Sequence, residues 1–244
     1  MTITNVGYAN EQITIYPAPC PFKCKYCWSQ APLWIYRTRN PSPLKQAYEL
    51  INPFQKPKTI VISFTTDPYQ PRELNEHLTI ETLKILAVSH HKIMILTKSS
   101  LIERDFPQFV EWHQNFKMNL WIGMTLTSVM AIQDEPLASP NPLRIKTLQN
   151  AHNIGLNTWV SIEPWIPHVT YPRQIIEATH EFVDWYVIGS LNRARQYGYP
   201  KIPKHYYSTE LLQVKNLLSD YGFSPTHTPT EKGFHIKKEL EQNA

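Results

Sequence analysis

The 244 residues, 42% apolar and 18% charged, have an ordinary soluble globular composition and supply enough chain for one sizeable core. No run approaches the ~18 uninterrupted apolar residues of a membrane span, and the opening MTITNVGYANEQ lacks a basic-then-apolar signal, so the expectation is a cytoplasmic protein, neither membrane-bound nor exported. Twenty-four Lys and Arg against twenty Asp and Glu give a net charge of +4, which permits an anionic partner without demanding one.

In chain order, apolar runs bounded by turn residues predict six strands, starting at Ile13 (ITIYPAP), Thr59 (TIVISF), Lys92 (KIMIL), Leu120 (LWIGMTL), Thr158 (TWVSI) and Trp185 (WYVIG). Helical patterns separate or follow them over 43–51, 78–89, 105–116, 142–153, 172–182 and 209–221. Pro43, Pro142 and Pro172 sit where proline is tolerated in a first helical turn, and Gly155 and Gly222 where helices end. The 21 prolines against 7 glycines argue for stiff, shaped connections. Strand and helix in alternation imply parallel crossovers, either in an open doubly wound sheet or in a partial barrel. In both, ligands gather at the carboxyl ends of the strands, where this chain carries CPFKCKYCW, TTDPYQPRE, TKSS, TLTS, EPWIP and GSLNRAR.

The three cysteines, Cys20, Cys24 and Cys27, follow the first predicted strand with the spacing C-x3-C-x2-C. An odd count packed this tightly is no disulfide framework and suits a reduced compartment. One short loop can turn three thiolates towards one centre, which leaves one iron of a cubane open. A closed zinc site needs a fourth ligand, and the nearest histidine, His77, lies fifty residues beyond Cys27. A non-catalytic zinc- or cluster-containing nucleic-acid-binding module is therefore the alternative reading.

The cysteine spacing, with Tyr26 before the last cysteine, resembles that of the radical S-adenosylmethionine superfamily. The succession SFTTDPYQPRE, KIMILTKSSLIERD and EPLASPNPLRIKTLQNAHNIGL is similar to the spore photoproduct lyase-related branch, and the likeness covers most of residues 13–190. The resemblance implies an α/β fold, a partial (β/α)6 barrel, in one domain over 1–244 with a core at about 13–222 and a C-terminal tail at 223–244. It also implies a [4Fe-4S] cluster on Cys20, Cys24 and Cys27, S-adenosylmethionine on the fourth iron, and reduced flavodoxin or ferredoxin as electron donor. One electron from the cluster then splits the sulfonium to give methionine and a 5′-deoxyadenosyl radical that abstracts hydrogen from a substrate.

Where family members often carry Gly-Gly-Glu, this chain has Thr65, Thr66, Asp67 and Pro68; the hydroxyl of Thr66 and the carboxylate of Asp67 are the expected hold on the methionine ammonium. The same likeness makes Lys98 the partner of the methionine carboxylate. Thr125, Thr127 and Ser128 are placed to meet the ribose hydroxyls. Glu163 is expected to bind the adenosyl or methionine portion or to pair with Arg144, and Tyr26 to serve at the adenine edge with its ring as a wall. For the substrate, cations interleaved with aromatic rings in 28–41 and 192–207, among them Trp28, Arg37, Arg193, Arg195 and Tyr197, suit a nucleotide or nucleic-acid base. They also suit a lid over a small molecule or peptide. Spore photoproduct lyases use a further cysteine as hydrogen-atom donor, and these residues contain none, so identical repair chemistry is not expected.

Overall fold

The computed structural model describes residues 2–3, 6–32, 41–203 and 205–242. Its strands are β1 (Thr2–Ile3), β2 (Glu11–Ile13), β3 (Thr59–Ile62), β4 (Lys92–Thr97), β5 (Asn119–Thr125), β6 (Asn157–Trp165), β7 (Trp185–Ser190), β8 (Ser224–Pro225) and β9 (Gly233–Ile236). The α-helices are α1 (Pro43–Leu50), α2 (Glu73–Glu76), α3 (Leu78–Leu86), α4 (Phe106–Phe116), α5 (Asn141–Asn153), α6 (Pro172–Thr179), α7 (Ser208–Asp220) and α8 (Lys238–Gln242). All nine strands form one sheet in the order β1-β2-β3-β4-β5-β6-β7-β9-β8, antiparallel only between β1 and β2. This is the expected partial barrel, with β2 to β7 as its six staves. Among the described residues no helix is long and apolar enough to cross a membrane.

Period-2 alternation divides the strand residues between two faces. Ile60, Ile62, Ile93, Ile95, Ile122, Met124, Val160, Ile162, Tyr186 and Ile188 point outwards into the main core beneath the helices. Val61, Met94, Trp121, Trp159, Trp185 and Val187 point inwards and pack with Tyr8, whose ring centroid lies 5.3 Å from that of Trp185 and 5.9 Å from that of Trp159. These aromatic rings plug the lower barrel. Gly123 admits Trp159: a β-carbon there would meet the indole at 2.2 Å and the Ile95 carbonyl at 2.6 Å. Further along the same inward rows come Lys98, Thr125, Ser161 and Glu163, so the rows change from apolar to polar at the carboxyl rim.

The first strand differs from expectation. Its ladder spans Glu11–Ile13 and stops where the sequence suggests it begins. Ser63 adopts φ 56°, its N–H donates to the Ile13 carbonyl at 2.7 Å, and its hydroxyl accepts the Ile15 N–H at 3.0 Å. The serine thus ends the ladder and releases residues 14–20 towards the rim. Beyond 222, β8 and β9 extend the sheet from β7 and α8 buries Leu240, so the segment read as a tail forms an edge of the barrel.

Candidate active site

The thiol loop is folded by its own backbone. Lys23 takes the left-handed region at φ 51°, and the Cys27 N–H donates to the Cys24 carbonyl at 3.0 Å. Gln30 Nε2 closes the loop on the Cys20 carbonyl at 3.0 Å, and Cys27 Sγ lies 2.9 Å from Ser29 Oγ. All three cysteines line one cavity of about 90 Å³, facing Thr65, Thr66, Asp67, Lys98 and Thr125 from the ends of β3, β4 and β5. Among the described residues, no three His, Cys, Asp or Glu side chains close on a single metal position. Burial pushes the Cys20 thiol up to about 11, helped by the Asp67 carboxylate, and the Cys24 thiol up to about 12, although the Lys98 ammonium pulls the latter back. Without a metal, both are neutral thiols at ordinary pH.

A second cavity, of about 210 Å³, adjoins the first and shares with it Cys27, Phe64, Leu96, Lys98 and Thr125. Tyr26, Trp28, Ser161, Glu163 and Lys237 complete much of its wall. The Lys98 amine lies 5.6 Å from the centre of the Tyr26 ring and beside Cys24. Both Asp67 oxygens already accept: Oδ1 from Thr97 Oγ1 at 2.6 Å and from the Tyr69 N–H at 2.8 Å, Oδ2 from the Lys98 N–H at 2.7 Å. Asp67 therefore clamps the base of Lys98. The Thr66 hydroxyl donates to the Tyr16 carbonyl at 2.7 Å, which leaves its oxygen lone pairs as acceptors.

Several expectations change here. Glu163 does not pair with Arg144; it pairs with Lys237 at 2.5 Å, and its other oxygen accepts the Ser161 hydroxyl at 3.1 Å. The reason is placement: Arg144 projects from α5 into a buried pair with Glu135 at 2.6 Å, while β9 delivers Lys237 to the mouth. Gly189 leaves room for the Glu163 carboxylate, since a β-carbon there would lie 2.5 Å from Oε1. Thr127 and Ser128 stand outside the lining of both cavities: the Thr127 hydroxyl is buried with no partner among the described residues, and Ser128 Oγ accepts the Met130 N–H at 3.1 Å. Lys237 and Glu135 are the residues that sequence reasoning missed. The inward alternation of β9, Gly233–Ile236 followed by Lys237, was the available signal for the first.

Arg193 and Arg195 are exposed and line a third cavity, of about 340 Å³, together with Lys201. It meets the second at Leu191, which lines both. No carboxylate among the described residues pairs with these three cations. The Tyr197 hydroxyl is buried without a partner among the described residues, and burial, then the Cys27 sulfur, push its pKa up. Arg37 lies outside the described residues.

The fold defines the class of architecture, an α/β partial barrel with its polar rim at the carboxyl ends of the strands. Streptococcus suis SuiB has the same fold. Compared with SuiB bound to the precursor peptide SuiA, the TM-score is 0.65 at 14% identity, covering 96% of this chain and 50% of that one. With SuiB bound to S-adenosylmethionine the TM-score is 0.62 at 14% identity, covering 95% and 48%. In sequence, the chain is similar to uncharacterized proteins of Mycobacterium tuberculosis and Mycobacterium bovis, 26% identical over 165 residues, which is 62% of this chain and 48% of each relative. The chain thus spans about half the length of the curated relatives it matches. No family model matches it.

Proposed function

We propose that this chain is a radical S-adenosylmethionine enzyme related to the spore photoproduct lyase branch. The carrying observation is that Cys20, Cys24 and Cys27 share one cavity with Lys98 and Thr125 at the carboxyl rim of a fold shared with SuiB, which binds S-adenosylmethionine. Three thiols set around a cavity suit a polynuclear cluster, in which each iron takes its own thiolate, better than a single zinc ion. When bound, the cluster supplies the electron that splits the sulfonium, with reduced flavodoxin or ferredoxin as its source, and the resulting deoxyadenosyl radical removes hydrogen from the substrate.

The chain's own residues bind and orient. Lys98, fixed at its backbone by Asp67, offers an ammonium to the methionine carboxylate, and the Thr66 oxygen accepts from the methionine ammonium. Tyr26, Trp28 and Phe64 wall the second cavity and exclude water from the adenosyl group. Arg193, Arg195 and Lys201, unpaired among the described residues and set around an adjoining cavity, support a phosphate-bearing substrate, a nucleotide or nucleic-acid base. A peptide is the second reading, because SuiB has been captured with a precursor peptide.

Anaerobic reconstitution tests the class. The protein is expected to take up iron and sulfide as one [4Fe-4S] cluster and to release 5′-deoxyadenosine from S-adenosylmethionine under dithionite. Production of 5′-deoxyadenosine by a variant with Cys20, Cys24 and Cys27 all replaced by Ala would overturn the proposal.

A further inference from the structure

The connection between β5 and α5 touches the rim at more places than a crossover requires. The Asp134 carbonyl accepts the Lys25 N–H at 2.8 Å, and its carboxylate accepts the Tyr199 hydroxyl at 2.6 Å. Glu135 receives the Tyr26 hydroxyl on one oxygen and Arg144 Nη2 at 2.6 Å on the other. Arg144 in turn donates to the carbonyls of Thr125 at 2.9 Å and Ser139 at 2.6 Å. The Ser139 N–H reaches the Lys98 carbonyl at 3.0 Å. Residues 134–139 therefore hold the thiol loop, the base of Lys98 and the end of β5 in one network.

Glu135 is its centre. The Glu135 and Arg144 side chains are 2% and 1% exposed, so neither finds water as an alternative partner. A buried carboxylate is tolerable only while its donors stay in place, and hydrogen bonds to a charged acceptor are the strong ones. Tyr26, between Cys24 and Cys27, is one of those donors; burial and the neighbouring carboxylate keep it a phenol.

We propose that Glu135 is a positioning residue for the thiol loop, which through the Tyr26 hydroxyl sets where Cys24 and Cys27 stand relative to Lys98. Its consequence for S-adenosylmethionine rests on the function proposed above; the contact itself does not.

Two readouts test it on the full chain. In metal-free protein, iodoacetamide labelling of each cysteine is followed by mass spectrometry. Tyr26→Phe keeps the ring and the Glu135–Arg144 pair but removes the hydroxyl, and is expected to speed Cys24 alkylation by about tenfold to a hundredfold, the scale of one lost hydrogen bond to a charged group. Glu135→Ala should do the same, and the double variant should label no faster than Glu135→Ala alone. In reconstituted protein, Tyr26→Phe should keep its iron yet alter the change in the cluster's paramagnetic resonance spectrum on adding S-adenosylmethionine. A wild-type alkylation rate in Tyr26→Phe, or additive effects in the double variant, would overturn the inference. If Glu135→Ala does not fold, Tyr26→Phe decides alone. Wild-type protein that takes up no iron would refute the proposed function, while the alkylation rates would still decide the role of Glu135.

Discussion

Lys98 shows how much one side chain's surroundings decide. Two residues after Leu96 on an inward row, it lines both cavities, and Asp67 holds its N–H at 2.7 Å. On the proposed function, replacing it with Ala should leave cluster content unchanged and weaken S-adenosylmethionine binding by about tenfold to a hundredfold, the loss of a charge-assisted hydrogen bond. Isothermal titration of the reconstituted protein checks this, and an unchanged dissociation constant would make Lys98 an ordinary rim charge. The inward placement of Lys98, Thr125 and Glu163 was legible because strand alternation is local. The partner of Glu163 was not: an ion pair joins whichever residues the fold brings together, and Lys237 arrives on a strand that is itself recognised only through its pairing with β7. Glu135 was hidden for the same reason, since an acidic residue before proline reads as turn chemistry until a buried arginine faces it.

Between elements, polar residues at the strand ends act as joints. His91, immediately before β4, is fully buried; its Nδ1 accepts the Lys58 N–H at 3.2 Å and its Nε2 donates to the Leu50 carbonyl at the end of α1 at 2.8 Å. Only the neutral ring satisfies both contacts, and burial lowers the pKa. An unfolded chain protonates its histidine near pH ~6.5 while the folded one resists, so below that value the unfolded state binds more protons. The stability contributed by neutral His91 is thus present above pH ~6.5 and lost as pH falls through it. Urea midpoints should fall less from pH ~7.5 to ~5.5 in His91→Asn than in the wild type; equal falls would show that another group carries the acid sensitivity. At this scale the six staves and the helices after them were legible from periodicity and proline placement. The exceptions have specific causes, such as the Ser63 turn that ends β2 early and the short Gly233–Ile236 run, whose strand character depends on the open edge of β7.

Across the described residues, polarity follows the barrel axis: aromatic rings fill the lower interior, thiols and Lys98 occupy the rim, and Arg193, Arg195 and Lys201 line the third cavity beside the mouth. That gradient makes the substrate question one of electrostatics. The net charge of +4 is too small to draw nucleic acid to the surface at large, so any strong salt dependence must come from a local cluster, and Arg193, Arg195 and Lys201 form one around the third cavity, which meets the second at Leu191. Each phosphate they neutralise releases counterions, contributing a slope of about −0.7 for a single strand or −0.9 for a duplex to log affinity against log salt. If the substrate is a nucleotide within a strand, Arg193→Ala with Arg195→Ala should flatten the slope by about two phosphate contacts and weaken binding almost equally for all sequences. Fluorescence polarisation with labelled single-stranded and duplex DNA and RNA, titrated over several salt concentrations, measures this directly. A free mononucleotide would bind with a shallow slope that the same pair of variants still reduces, whereas a peptide or uncharged metabolite leaves oligonucleotide binding undetectable even at low salt and sinks the phosphate reading of the third cavity.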